Sequence, residues 1–284
     1  MKNVLIVTKV PAWHRFKTDP VKYANISKGT LQRAEDSNNR HVESVERVHD
    51  SVKKFTSAIK VRGVNELTTV DVGLADLVIT VGGDGTLLSA SHYIPPNTLV
   101  IGVNSDPVFS RGNFCHFKAG EFDDVLEELL AFGVPSDHNT KWVTRMKASI
   151  NGVPIVDRVL NEALFCHSCP AAMTRFTLNG IRYACSGVWI ATGAGSTGAI
   201  KSAGGSQVDT GAQVLQTMLR EVWEGDKEHP SLDKLSYVTP SVTLTSRIAD
   251  AMLYFDGPYL SQSVGIDQEV TFEVSDQHLS LVTR

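Results

Sequence analysis

The stretch Leu77-Val78-Ile79-Thr80-Val81 runs straight into Gly82-Gly83-Asp84-Gly85-Thr86, and Leu87-Leu88-Ser89-Ala90 follows at once. The first segment is too uniformly apolar for a strand with one wet face, so it reads as a strand buried on both sides. Residues from Leu87 read as a helix. A strand that turns through glycines directly into a helix is the building unit of a parallel sheet covered by helices. That unit restricts the fold of this half of the chain more than any other feature.

The flanking residues agree. Val4 to Thr8 and Leu99-Val100-Ile101-Gly102-Val103 read as two further buried strands. Val42, Val45, Val48, Val52, Phe55 and Ile59 recur at three- and four-residue steps, a helix stripe facing a core. Phe122, Val125, Leu126, Leu129 and Leu130 stripe another helix, with Gly133 and Pro135 as stop signals. Residues 13–40 are polar and mixed, and Lys28-Gly29 interrupts any pattern. The expectation is a three-layer α/β domain over residues 1–135, carrying the glycine motif.

Residues 136–284 change character. Asn151-Gly152 and Asn179-Gly180 are hairpin signals between short β-prone segments. Helices are expected around 196–203 and 210–222. Val242-Leu244, Met252-Tyr254, Val270-Val274 and Leu279-Leu281 read as short strands. The second domain is therefore expected to be mostly antiparallel β.

Composition removes several classes. The chain has 284 residues, 42% of them hydrophobic, enough for two cores. It is not a disordered sequence, which would be less apolar and more charged. Lys and Arg number 27 against 31 Asp and Glu, a net charge of -4. Nucleic-acid binders usually carry a basic excess, so no nucleic-acid partner is expected. No apolar run approaches the ~18 residues of a membrane span, and Val4-Val7 is too short for a signal-peptide core. No membrane association and a cytoplasmic location are expected.

Four cysteines are present, and Cys166 and Cys169 have the spacing of half a metal site. Zinc needs a second close pair. Cys115 and Cys185 are far apart, so no metal-ligating residue is assigned. All four read as buried, reduced thiols.

The first glycine cluster has a chemical logic. Without Cβ atoms its backbone can approach a ligand, and its N–H groups with the following helix start can cradle phosphate oxygens. Asp84 would repel phosphate unless it holds a metal or accepts a proton from an attacking hydroxyl. The loop thus suggests phosphoryl transfer to an alcohol. The other reading is a tight turn with Asp as a helix cap. A second cluster, Ala191-Thr192-Gly193-Ala194-Gly195-Ser196-Thr197-Gly198-Ala199 followed by Lys201-Ser202-Ala203-Gly204-Gly205, looks like a ligand loop that opens a helix.

Gly82-Gly83-Asp84-Gly85-Thr86 resembles the shared motif of a superfamily that includes NAD kinases, diacylglycerol and sphingosine kinases and phosphofructokinases. The second cluster resembles the Gly-Ser-Thr segment of NAD kinases and their Ser-Ala-Gly-Gly. Asn161-Glu162, Gly102-Val103-Asn104-Ser105-Asp106 and Asp256-Gly257 resemble further motifs of that family in its order. Lipid kinases place Asn-Glu directly after the glycine motif, whereas Leu87-Leu88 follows here.

The resemblance implies that the γ-phosphoryl of ATP, with Mg²⁺, passes to the 2′-hydroxyl of the adenosine ribose of NAD⁺ or NADH. It makes Asp84 the general base, or the group that orients the hydroxyl and its metal. It places Gly83, Gly85 and Thr86 on phosphate, and Asn161 and Glu162 on ribose and adenine. Asn104, Thr192, Gly195, Ser196, Thr197 and Lys201 join the nucleotide site, and Arg175 is either a phosphate partner or a solvated strand residue. A nucleotide-binding second domain, with the active site in the cleft between the two domains, and a homo-oligomer, dimer or tetramer, are also implied. Ser186-Gly187 and Ala199 stand where many NAD kinases have Asp-Gly and an aromatic. Asn104-Ser105-Asp106-Pro107 and Cys169-Pro170-Ala171-Ala172 look more like the NADH-kinase branch of plants. The family's returning C-terminal tail looks short or absent. The alternatives are a non-catalytic nucleotide-binding sensor and a superfamily kinase acting on a lipid or sugar alcohol. Because the chain is acidic and both ligands are anions, backbone N–H groups, local Lys and Arg and Mg²⁺ must hold the phosphates.

Overall fold

The computed structural model describes residues 3–110, 112–132, 140–223 and 237–283. They fall into two compact units, residues 1–141 with 280–284 and residues 142–279. In the first, β1 (Val4–Thr8), α1 (Ala12–Thr18), α2 (Lys28–Lys53), β2 (Ile59–Gly63), α3 (Thr69–Gly73), β3 (Leu77–Gly82), α4 (Asp84–Ser91), β4 (Leu99–Asn104), β5 (Phe117–Lys118) and α5 (Asp123–Phe132) follow in turn, before β6 (Thr140–Val143). β1 pairs in parallel with β2 and β3, β3 with β4, and β4 with β5. β3 is buried at every position, as its unbroken apolar run requires. Val48 and Val52 of α2 and Phe122, Leu126 and Leu129 at α5 complete this core.

The second unit holds β7 (Met146–Ile150), β8 (Val153–Val159), β9 (Glu162–His167), β10 (Thr174–Leu178), β11 (Ile181–Cys185), β12 (Gly187–Ala191), a 3₁₀ turn (Ala194–Thr197), α6 (Ala199–Ser202), β13 (Leu215–Arg220), β14 (Tyr237–Thr239), β15 (Ser241–Ser246), β16 (Ala251–Phe255), β17 (Leu260–Val264) and β18 (Glu269–Val274). Two six-stranded sheets result, in the orders β11-β10-β15-β18-β7-β8 and β14-β13-β12-β9-β16-β17. One core joins them, and Phe165 of β9 meets Phe176 of β10 edge-on at 5.6 Å. Asn151 and Asn179 adopt φ of 50° and 51°, and Gly152 and Gly180 follow at 77° and 79°. Two residues at positive φ are what a tight hairpin needs, so both Asn-Gly signals make the hairpins expected of them.

Three expectations are corrected. The helix striped from Val42 to Ile59 is α2, which begins at Lys28 and ends at Lys53, while Ile59 opens β2. Ser27 caps it by accepting the Thr30 N–H at 3.1 Å. Gly29 sits in the first turn, where the N–H groups have no helical partner in any case. The helix expected over 210–222 is instead β13: Leu215, Thr217 and Leu219 alternate into the core, and the strand pairs with β12 and β14. The returning tail is present, since β19 (Leu279–Val282) runs parallel to β4 in the first sheet. The stop signals Gly133 and Pro135, with the boundary near 135, lie outside the described residues. Among the described residues no helix is long and apolar enough to cross a membrane.

Candidate functional site

In the first unit the glycine motif lies where β3 ends and α4 begins. Gly83 is the N-cap of α4, and its carbonyl accepts the Thr86 N–H at 2.9 Å. Gly82 has no room for a side chain, because a Cβ there would lie 2.2 Å from Thr86 Oγ1. Asp84, the first residue of α4, points its carboxylate at residues some thirty positions downstream. Its Oδ2 accepts the Asn113 N–H at 2.7 Å and its Oδ1 accepts the Phe114 N–H at 3.0 Å. Asn104 ends β4 directly across from Gly82. Its amide serves the neighbouring loop, with Nδ2 donating to the Ser110 carbonyl and Oδ1 accepting the Asp106 N–H.

Asp106 in turn accepts Ser37 Oγ–H at 2.6 Å and Arg40 Nε–H at 2.8 Å from α2. Burial works against its charge, but the bonds from Arg40 and Ser37 hold its carboxyl below the usual range. Lys9, just past β1, has its Cβ 3.2 Å from where a Gly82 side chain would start. Burial pulls its ammonium below its usual range, with Asp106 opposing. Nothing in the sequence pattern singles out Lys9, because a lysine after a strand is commonplace.

In the second unit Asn161 and Glu162 open β9. Asp256, in the turn after β16, accepts three consecutive backbone N–H groups: Leu160 at 2.8 Å, Asn161 at 2.7 Å and Glu162 at 3.2 Å. The late Asp-Gly pair is thereby tied to the Asn-Glu pair some 95 residues earlier. The second glycine cluster packs on the same spot. Thr192 donates its N–H to the Asn161 carbonyl at 2.9 Å and its hydroxyl to the Leu160 carbonyl at 2.5 Å. Ser196 is fully buried, and its hydroxyl donates to the Gly193 carbonyl and accepts the Val208 N–H. Thr197 donates to the Ala194 carbonyl at 3.4 Å. These hydroxyls therefore brace the loop itself. Lys201 is exposed on α6, and Arg175 stands apart, exposed on β10 of the other sheet.

Gly195 packs tightly against the backbone just ahead of β9. A Cβ there would lie 2.2 Å from the Asn161 carbonyl oxygen, a backbone atom that cannot swing away. Gly195→Ala is expected to cost about 1–3 kcal/mol by forcing the loop off β9. Thermal melts of the purified variant read this as a lowered midpoint.

The polar ends of the Asn-Glu pair remain unsatisfied. Asn161 Oδ1 and Glu162 Oε2 are buried without a hydrogen-bond partner among the described residues. Glu162 Oε2 also lies 3.3 Å from where a Gly198 side chain would begin. Burial, with the Asp256 charge adding to it, raises the Glu162 carboxyl to about 7. Two buried polar atoms left open on adjacent residues are costly, and a polar ligand there would relieve that cost.

The cysteines differ from expectation in one respect. Cys115 and Cys185 are buried, but Cys166 is half-buried and Cys169 is exposed. The Cys169 N–H donates to His167 Nδ1 in the turn after β9, which leaves the side chain outside the core. Among the described residues no group of three or more His, Cys, Asp or Glu side chains is placed to hold a metal ion.

No family model matches the chain. A protein of Oryza sativa subsp. japonica described as a probable NADH kinase is 32% identical over 215 residues, which is 66% of this chain and 65% of the rice protein. An NADH kinase of Arabidopsis thaliana is 33% identical over 220 residues, 64% of this chain and 67% of that protein. The matched stretch thus spans about two thirds of the length of both plant relatives. Among solved structures, the crystal structure of an NAD kinase from Archaeoglobus fulgidus in complex with ATP superposes with a TM-score of 0.62 at 20% identity. It covers 99% of this chain and 93% of that one, a likeness of fold.

Proposed function

Because the chain belongs to the NAD kinase family, we propose that it transfers the γ-phosphoryl group of ATP to the 2′-hydroxyl of the adenosine ribose of NAD⁺ or NADH. The products are NADP⁺ or NADPH and ADP. The observation that carries this reading is Asp84: a carboxylate fixed at a glycine-rich strand-to-helix turn, where a phosphate group would otherwise be the natural guest. The 2′-oxygen attacks the γ-phosphorus, the bond to the ADP oxygen breaks, and Asp84 receives the hydroxyl proton. Magnesium enters with the donor as Mg-ATP and offsets charge on its phosphates.

The remaining residues bind and orient. Gly83 and Gly85 offer backbone N–H groups at the start of α4, Thr86 offers its hydroxyl, and Lys9 adds a local cation beside Gly82. This suits a chain of net charge -4, which has no general positive field to attract two anions. Asn161 Oδ1 and Glu162 Oε2, both open, meet the hydroxyl and amino groups of the adenosine. With its proton on, Glu162 donates as well as accepts. The four free thiols suit a reducing compartment, and we place the protein in the cytosol. There it acts as a homo-oligomer, dimer or tetramer, on soluble nucleotides and on neither nucleic acid nor membranes.

The test is direct. Purified protein given Mg-ATP with NAD⁺ or NADH is expected to form NADP⁺ or NADPH and ADP in equal amounts, read by a dehydrogenase specific for the phosphorylated cofactor. Nucleotide binding without product would make the protein a sensor. Neither binding nor product would point to a different alcohol.

A further inference from the structure

The carboxylate of Asp84 is held by more than its own helix. An ionised carboxylate has about four acceptor positions, two on each oxygen. The Asn113 and Phe114 amides take one on Oδ2 and one on Oδ1. The next residue, Cys115, is 7% exposed, and its side chain lies beside the same carboxylate. Gly112 makes the approach possible. A Cβ at that position would lie 2.9 Å from the Cys115 Cβ and 3.0 Å from Asp84 Oδ1, so any side chain would wedge thiol and carboxylate apart.

We propose that Cys115 is a positioning residue for the reaction: its S–H donates to Asp84 and, together with the Asn113 and Phe114 amides, leaves that carboxylate one open acceptor position, which aims it at the hydroxyl to be phosphorylated. The inference rests on the reading of Asp84 as the base. It explains why a thiol stands at this position. Valine would fill the space and donate nothing. Burial, with the Asp84 charge adding to it, pushes the Cys115 thiol far above the usual range. It therefore stays S–H at any working pH, a donor and not a nucleophile.

The test compares Cys115→Val, close in size and without a donor, with Cys115→Ser, which restores one, in the Mg-ATP and NAD(H) assay. Losing a hydrogen bond to a charged group, weakened here because sulfur is a poor donor, should lower kcat about 10-fold in Cys115→Val. KM for both substrates should stay within about twofold, because the residue touches neither. Cys115→Ser should recover most of kcat. Infrared spectra of the unmodified protein give a readout independent of turnover. One of its S–H stretching bands should lie below the others and vanish in Cys115→Val. Unchanged kcat in Cys115→Val, equal impairment of Val and Ser, or the absence of a displaced band would each overturn the proposal. Asp84→Asn measured alongside separates the two readings. If it turns over normally, the base assignment fails and the role of Cys115 fails with it. If it is slow while Cys115→Val is not, only the role of Cys115 fails.

Discussion

Asp84→Asn is expected to lower NADP(H) formation by about 10²–10⁴-fold, the range lost with a general base. The substitution keeps the shape of the side chain and removes its capacity to take a proton. It also has a structural cost that the geometry fixes. Both oxygens of Asp84 face backbone N–H groups, Asn113 on one side and Phe114 on the other. An amide must turn its NH₂ toward one of them, donor against donor, so one bond is lost and the other is weakened. That is expected to reduce stability by about 1–3 kcal/mol. The two effects separate experimentally. Initial rates at saturating Mg-ATP and NAD(H) report the chemistry, while denaturant titration reports the loosened loop. A variant with near-normal turnover would remove Asp84 from the mechanism.

The contrast between Asp84 and the groups around it shows what this sequence makes legible. Leu77–Val81 announces a buried strand because all its side chains are apolar or β-branched, and the glycines after it mark where a backbone must be approached closely. Asn151-Gly152 and Asn179-Gly180 announce hairpins because few other pairs adopt positive φ so readily. These are local rules, and they hold here. The partners of Asp84 follow no such rule, since backbone N–H groups are present at nearly every residue and leave no trace in composition. The same is true of Asp256, whose bonds to Leu160, Asn161 and Glu162 exist only because β16 pairs with β9.

Where local pattern and tertiary pairing disagreed, pairing prevailed. Val214, Leu215, Met218 and Leu219 fit a helical stripe as well as Leu215, Thr217 and Leu219 fit a strand. The strand forms because β12 and β14 offer it hydrogen bonds on both edges. The early part of α2 was hidden for the opposite reason. It is largely solvated, since the buried residues of the helix, His41, Val48, Ser51 and Val52, all lie in its second half, and too few side chains there carry the 3.6-residue period to be seen.

Glu162→Gln is expected to make the protein more stable above neutral pH while impairing nucleotide turnover. Burial and the Asp256 charge raise the Glu162 carboxyl from 4.5 to about 7 in the folded chain. Between those values the folded chain keeps a proton that the unfolded chain has released. Stability from this group is therefore fully present below about pH 4.5 and lost as pH rises through 7. The displacement corresponds to about 3 kcal/mol, and partial solvent access trims it to about 2–3 kcal/mol. Glutamine carries no charge at any of these values, so the loss disappears. His41 opposes this trend. Burial, with the Lys9 charge adding, lowers its imidazole from 6.5 to about 4, so its contribution is lost as pH falls from 6.5 toward 4. In the parent protein the two slopes offset each other between about pH 5 and 6.5. Removing Glu162 should uncover the rise due to His41. Urea titrations of both proteins at intervals from pH 5 to 8 isolate the Glu162 contribution as their difference, because His41 is common to both. Parallel stability curves would show that the carboxyl is ionised and solvated throughout. A widening gap that levels off above pH 7 would show a group kept at the expense of stability, as expected of a residue whose partner is a ligand.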